Sequence, residues 1–232
     1  MSNRLSSTRV CAEQEAFFPL FISLKAKRVL VAGGGEVAFR KVSQLLEFGA
    51  AVRVVSPEWG RQLRLLAESG TIAALQRPYS GGDLSGAVLA VAATDSRAVN
   101  RQIHDDAAAL HIPVNVVDDP ELCSFYFPSI VRRGPLVFGI STSGLYPLLA
   151  KSCRQRIESE FPAAYGLLTE LLGQYRLRLT GAGMESEALR SILGKMLEYG
   201  LSLVGPGARA VSGAELGALL EARYAELTET AL

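Results

Sequence analysis

The chain has 232 residues, of which 49% are hydrophobic and 20% charged. That excludes a mainly disordered polymer and, at roughly 150 residues per domain, implies about one and a half domains. Lys and Arg number 24 against 23 Asp and Glu, a net charge of +1, so nothing global points to nucleic acid or an anionic membrane surface.

Residues 1–16 are polar, lack the apolar core of a secretory signal and read as a loose tail. Phe17 to Ile22 is an apolar run, either a strand or a clamp onto the core. Arg28 to Ala32 reads as a buried strand stopped by Gly33-Gly34-Gly35. Ala38, Val42, Leu45 and Leu46 then recur at helical spacing. Val52 to Val55 is a second strand, Glu58 to Ser69 a helix and Thr71 to Leu75 a third strand. Ala87 to Ala92 carries no charge, as expected of a strand buried on both faces of a parallel sheet. A helix over 95–110 and an apolar strand over 113–117 follow, and this alternation predicts a doubly wound α/β domain.

After Val117 the pattern changes. Phe125 to Val131 and Leu136 to Ile140 predict a hairpin across Arg132-Arg133-Gly134. Helical stretches are expected at 147–178, 185–201 and 213–229. The run 134–150 is uncharged, but it is too short for a membrane helix of about 20 residues and is broken by Pro147. Cys11, Cys123 and Cys153 form neither a zinc pattern nor an even disulfide set, which suits reduced thiols in a cytoplasm.

The sharpest motif is Gly33-Gly34-Gly35-Glu36-Val37-Ala38 between strand and helix. It fits G-x-G-x-x-A: a tight turn, a close backbone approach to a pyrophosphate, and a small residue for helix–strand packing. A structural glycine turn is the alternative. The acid expected about 20 residues on is missing; Ser56-Pro57 stands there and Glu58 comes two residues late. Arg61 and Arg64 follow, as partners for a 2′-phosphate or as a solvated helix face. Thr94 and Asp95 follow the fourth strand at the ligand-binding end of the sheet, as pocket lining or as a helix cap. Asp118, directly after an apolar strand at the sheet's carboxyl end, where partial desolvation is expected, is a candidate base or part of a polar turn.

These pieces together resemble the precorrin-2 dehydrogenases, the family that includes the N-terminal module of siroheme synthase. The resemblance is carried by Pro19-Leu20-Phe21, Val29 to Lys41, Ala92-Ala93-Thr94-Asp95 with Asn100, and Asn115 to Pro120. It continues through Phe127-Pro128-Ser129-Ile130, Gly134-Pro135-Leu136, Ile140 to Gly144, Pro147 and Leu149-Ala150-Lys151. It implies a Rossmann-like parallel sheet domain (17–117), a short β dimerisation and substrate region (118–146), and a helical C-terminal domain (147–232). It implies NAD as oxidant, precorrin-2 as substrate, sirohydrochlorin as product, and a homodimer. Insertion of Fe²⁺ or Co²⁺, as a substrate metal, is a further activity of some members.

By the same match, cofactor contacts fall on Gly33, Gly35, Glu36, Val37, Ala38, Pro57 and Glu58. Asp118 aligns with the aspartate assigned a catalytic role. Ser141, Thr142, Ser143 and Gly144 form the loop where the macrocycle should sit. Ser143 stands where members commonly carry glycine, and Leu145-Tyr146 replaces a small or polar pair. A polycarboxylate ring calls for cations, and Arg133 and Lys151 lead the six available, with Arg40, Lys41, Arg132 and Arg154; each is otherwise a solvated surface charge. His104 and His111 are read as helix residues and no fixed protein metal site is expected. No methyltransferase domain is expected. The rival reading is a regulatory NAD-binding module without catalysis.

Overall fold

A computed structural model describes residues 17–229, apart from Pro206 and Ala210. The expected tail, 1–16, lies outside them. The chain divides into two compact units, one ending at Phe127 and one beginning at Pro128.

The first unit holds β1 (Arg28–Ala32), α1 (Glu36–Glu47), β2 (Ala51–Val55), α2 (Arg61–Glu68), β3 (Ala73–Leu75), β4 (Ala87–Ala92), α3 (Arg97–Ala109) and β5 (Val114–Val116). All strands run parallel in the order β3-β2-β1-β4-β5. Successive strand residues point to opposite faces, and the sequence uses both. Val29 and Val31 of β1, with Leu89 and Val91 of β4, pack on Ala38, Val42 and Leu45 of α1 and Leu63 of α2. Leu30 and Ala32, with Ala90 and Ala92, pack on Ile103 and Ala107 of α3. This two-sided burial is why β4 has no polar residue. The chain reverses direction across the sheet between β1 and β4, leaving a crevice at their carboxyl ends.

The strand expected within Phe17–Ile22 does not form. Both places beside β1 are taken by β2 and β4. Phe17 packs edge-on against Tyr126, 4.6 Å between centroids, while Phe18, Leu20 and Phe21 are exposed.

β5 is an edge strand, and the segment Cys123–Phe125 covers its outer side. Val114 N–H donates to Ser124 Oγ (2.7 Å), and Ser124 N–H donates back to Val114 O (2.9 Å). Val116 N–H donates to Cys123 Sγ (3.3 Å), whose S–H faces Val116 O (3.2 Å). Buried Asn115 Nδ2 donates to Phe125 O (3.0 Å). The side chains of Cys123 and Ser124, with the Ser124 amide, thus satisfy the groups that a sixth strand would have paired.

The second unit opens with an antiparallel hairpin, β6 (Ser129–Arg133) and β7 (Leu136–Ile140). Arg133 pairs with Leu136, so the turn is Gly134-Pro135. Gly134 has φ +54° at the first central position and proline fixes a negative φ at the second, the signs of a type II′ turn. Four helices follow: α4 (Pro147–Glu160), α5 (Ala164–Gly181), α6 (Ser186–Val204) and α7 (Gly213–Glu229). The single stretch expected over 147–178 is broken at Phe161-Pro162. Proline lacks the N–H and disfavours helix at the preceding residue, and Phe161 adopts φ −120°, ψ 82°. Helices α5 to α7 enclose their own core of Leu168, Tyr175, Leu179, Met196, Leu216 and Leu220.

Candidate functional site

Three loops meet at the carboxyl ends of the central strands. The first is the glycine turn after β1. Gly33 has φ +129°, and a Cβ there would lie 2.1 Å from Ala93 O, in the loop after β4. A Cβ on Gly34 would lie 1.8 Å from Glu58 O, in the loop after β2. Gly33 N–H donates to Val55 O (3.0 Å), and Gly34 O accepts from Gly60 N–H (2.8 Å). These two glycines are therefore demanded by the protein itself.

Gly35 differs. It is exposed, has φ −84°, and a Cβ there would meet nothing within 4 Å. It is also the residue preceding α1, and no side chain caps that helix. The first N–H groups of α1, at Glu36, Val37 and Ala38, start an uncapped helix behind an open space. Uncapped amides and the positive end of a helix dipole favour an anion. The cradle fits a dinucleotide pyrophosphate.

The second loop, Ser56 to Gly60, is fixed locally. Ser56 Oγ donates to Glu58 O (2.7 Å) and the buried Trp59 Nε1 donates to Ser56 O (2.8 Å). Arg64 Nε is held by Trp59 O (3.1 Å), whereas Arg61, Pro57 and Glu58 are exposed. In the third loop, Thr94 Oγ1 donates to Asn100 Oδ1 (2.7 Å), and Asn100 Nδ2 donates to Thr94 O (3.0 Å). Capping of α3 falls to Ser96, whose Oγ accepts from Val99 N–H (3.4 Å). Asp95 is exposed beside it.

Asp118 follows β5 in the same unit. It is exposed, where partial desolvation was expected, and its backbone is left-handed with φ +59°. Aspartate tolerates that region better than most residues, but such backbones cost energy and cluster at functional sites. Its neighbour Asp119 pairs with Arg97 (3.3 Å). Cys123, expected from the sequence only to be a reduced thiol, braces this turn from both sides: its Sγ lies 3.2 Å from Val116 O and 3.4 Å from Asp119 O. The signal missed was the spacing of Cys123-Ser124 opposite the alternate residues of an edge strand.

The loop 141–144 belongs to the second unit. Ser141 Oγ accepts from Ser143 N–H (3.0 Å), and Thr142 Oγ1 accepts from Tyr146 N–H (3.3 Å), so both hydroxyls shape the loop before α4. Ser143 has φ +50° and Gly144 φ +80°. The left-handed backbone at 143 explains why glycine suits that position. Arg133 Nε donates to Phe161 O (2.7 Å) and its Nη2 to Glu158 O (3.2 Å), satisfying carbonyls at the end of α4. Lys151 is exposed. Leu145, Tyr146, Leu148 and Leu149 form an exposed apolar run beside it. Among the described residues no three His, Cys, Asp or Glu gather as metal ligands. Nor is any helix there long and apolar enough to cross a membrane.

The family model described as "Putative NAD(P)-binding" matches residues 20–129, which contain all three loops and Asp118. A siroheme synthase of Stutzerimonas stutzeri is 48% identical over 163 residues, 70% of this chain and 35% of that protein. A siroheme synthase of Azotobacter vinelandii is 42% identical over 219 residues, 93% of this chain and 46% of that protein. The chain thus spans about a third to a half of the length of these relatives. Among solved structures, SirC, a precorrin-2 dehydrogenase, superposes with a TM-score of 0.69 at 25% identity, covering 89% of this chain and all of that one.

Proposed function

We propose, from the premise that this chain belongs with the siroheme synthases to a family carrying an NAD(P)-binding domain, that it is an NAD-dependent dehydrogenase converting precorrin-2 to sirohydrochlorin. The observation that carries the reading is the open cradle at Gly35. Gly33 and Gly34 serve the fold, but Gly35 has no neighbour to satisfy, and the uncapped α1 amides lie behind it.

NAD⁺, when bound, supplies the hydride acceptor. The amides of Glu36, Val37 and Ala38 hold the pyrophosphate, and the loops at Pro57-Glu58 and Thr94-Asp95 flank it. Asp118 accepts the proton that the macrocycle loses. Ser141 to Gly144 and Lys151 contact the ring's carboxylates. Arg64 is engaged by Trp59 O and β2 ends without a carboxylate, so cofactor recognition rests on the phosphates and on the loop backbone. The protein acts as a cytoplasmic homodimer. Fe²⁺ or Co²⁺ is a substrate of a second step, in which the exposed Asp118 carboxylate takes the two protons displaced from the ring nitrogens one at a time and releases each to solvent.

The test is anaerobic turnover of precorrin-2 with NAD⁺, followed through NADH and the sirohydrochlorin spectrum, then addition of each metal. The chain has one tryptophan, Trp59, in the loop that closes on Gly34, so cofactor binding is read independently from its fluorescence. NADH and sirohydrochlorin are expected together. NAD binding without either product would instead select the regulatory module.

A further inference from the structure

We infer that Cys123 is a positioning residue for the dehydrogenation: its thiol braces the turn that aims Asp118. The inference rests on the reading of Asp118 as the proton acceptor. Among the described residues no partner holds the Asp118 side chain, so its backbone sets its direction. That backbone is left-handed, and the turn's own closing bond, Asp119 N–H to Val116 O, is long at 3.4 Å.

The sulfur supplies what the turn lacks. It accepts from Val116 N–H (3.3 Å), and its S–H lies within reach of Val116 O (3.2 Å) and Asp119 O (3.4 Å). It therefore ties together the two residues that flank Val117-Asp118. Asn115 Nδ2, from the buried strand, reaches the same sulfur at 3.4 Å. The brace needs a group that both donates and accepts, and a neutral thiol does both. Burial pushes the Cys123 thiol up, and the nearby Asp119 carboxylate adds to this; the Val116 backbone bond and Lys41 oppose it. The thiol consequently keeps its proton. Lys41 itself sits over the Phe127 ring, 3.9 Å from the centroid.

Serine retains donor and acceptor at this position and alanine retains neither. The experiment compares wild type, Cys123→Ser and Cys123→Ala in steady-state turnover, thermal melting and amide hydrogen exchange. Cys123→Ala is expected to lose about tenfold in kcat, since small misplacements of a reacting group carry such costs, while KM for NAD⁺ stays within about twofold. Exchange at Val116 and Asp119 should quicken in the same protein. Cys123→Ser should restore kcat to within about threefold of wild type and slow that exchange again. Wild-type kcat in Cys123→Ala, or equal losses in both variants in step with melting temperature, would overturn the role of the thiol. A wild type that forms no NADH from precorrin-2 would overturn the reaction on which the role rests, a result separate from any change in exchange.

Discussion

Three adjacent glycines do three different jobs, and only one of them faces outward. A methyl on Gly33 or Gly34 would collide with a carbonyl of a neighbouring loop. One on Gly35 would collide with nothing in the protein. Gly35→Ala is therefore expected to melt within a few degrees of wild type yet bind NAD about tenfold or more weakly, as Trp59 fluorescence would report. Equal affinities would remove the cradle from the site. Asp118→Ala should bind NAD normally and lose about 10²–10⁴-fold in kcat, the usual worth of a positioned general base. Undiminished kcat would take Asp118 out of the mechanism. Ser143 holds a left-handed backbone that costs a serine more than a glycine. Ser143→Gly should stabilise the protein by about 1 kcal/mol in denaturant melts, strain relief exceeding the added freedom of the unfolded chain. The glycine motif was legible because phosphate-binding turns constrain spacing. The exposure and backbone of Asp118, and the brace from Cys123, were not, because they depend on how a loop folds back over an edge strand.

The connection between β3 and β4 shows how a single element is held. Asp83 is buried, and Arg77 grips it with two bonds (2.9 and 2.5 Å) while Ser80 N–H donates a third (2.9 Å). The Arg77 guanidinium holds the carboxyl below the ordinary aspartate range, against the opposing effect of burial. A depressed carboxyl stabilises the fold above its unfolded value, about 4, and that contribution fades as the pH falls through the folded value. Arg77→Ala should lower the melting temperature at pH 7, and the gap from wild type should close in acid. A gap that persists unchanged below pH 3 would mean that Arg77 acts through packing. The central strands β1 and β4 were readable to the residue, since burial on two faces leaves a nearly uninterrupted apolar run, whereas β3, expected over 71–75, spans only Ala73–Leu75 and is largely exposed. The α4–α5 break is signalled by Pro162, but apolar periodicity continues on both sides of it and reads as one helix.

At the scale of the molecule, the second unit carries two kinds of apolar surface. One is the enclosed core of α5 to α7; the other is the exposed run Leu145, Tyr146, Leu148 and Leu149. If the chain acts as a dimer, that exposed run is where a copy would bury area. Leu148→Asp combined with Leu149→Asp should shift the protein toward a monomer in analytical ultracentrifugation without lowering its helical signal. A dimer of unchanged affinity would place the contact elsewhere. The alternation of strands and helices made the first unit legible as a whole. An exposed apolar run looks in sequence like any buried one, so nothing in the sequence signals that Phe18, Leu20 and Phe21 stay exposed. The cover over β5 has a consequence for assembly. A sheet grows by offering unpaired amides to a new strand, and at this edge Ser124 and Cys123 have already consumed them. No extended segment, whether from a sister chain or from a misfolded neighbour, can be templated there. Among the described residues, the strand edges left to seed pairing with another chain are those of the hairpin and of the three-residue β3, and the sheet stays closed to strand exchange on the side of Asp118.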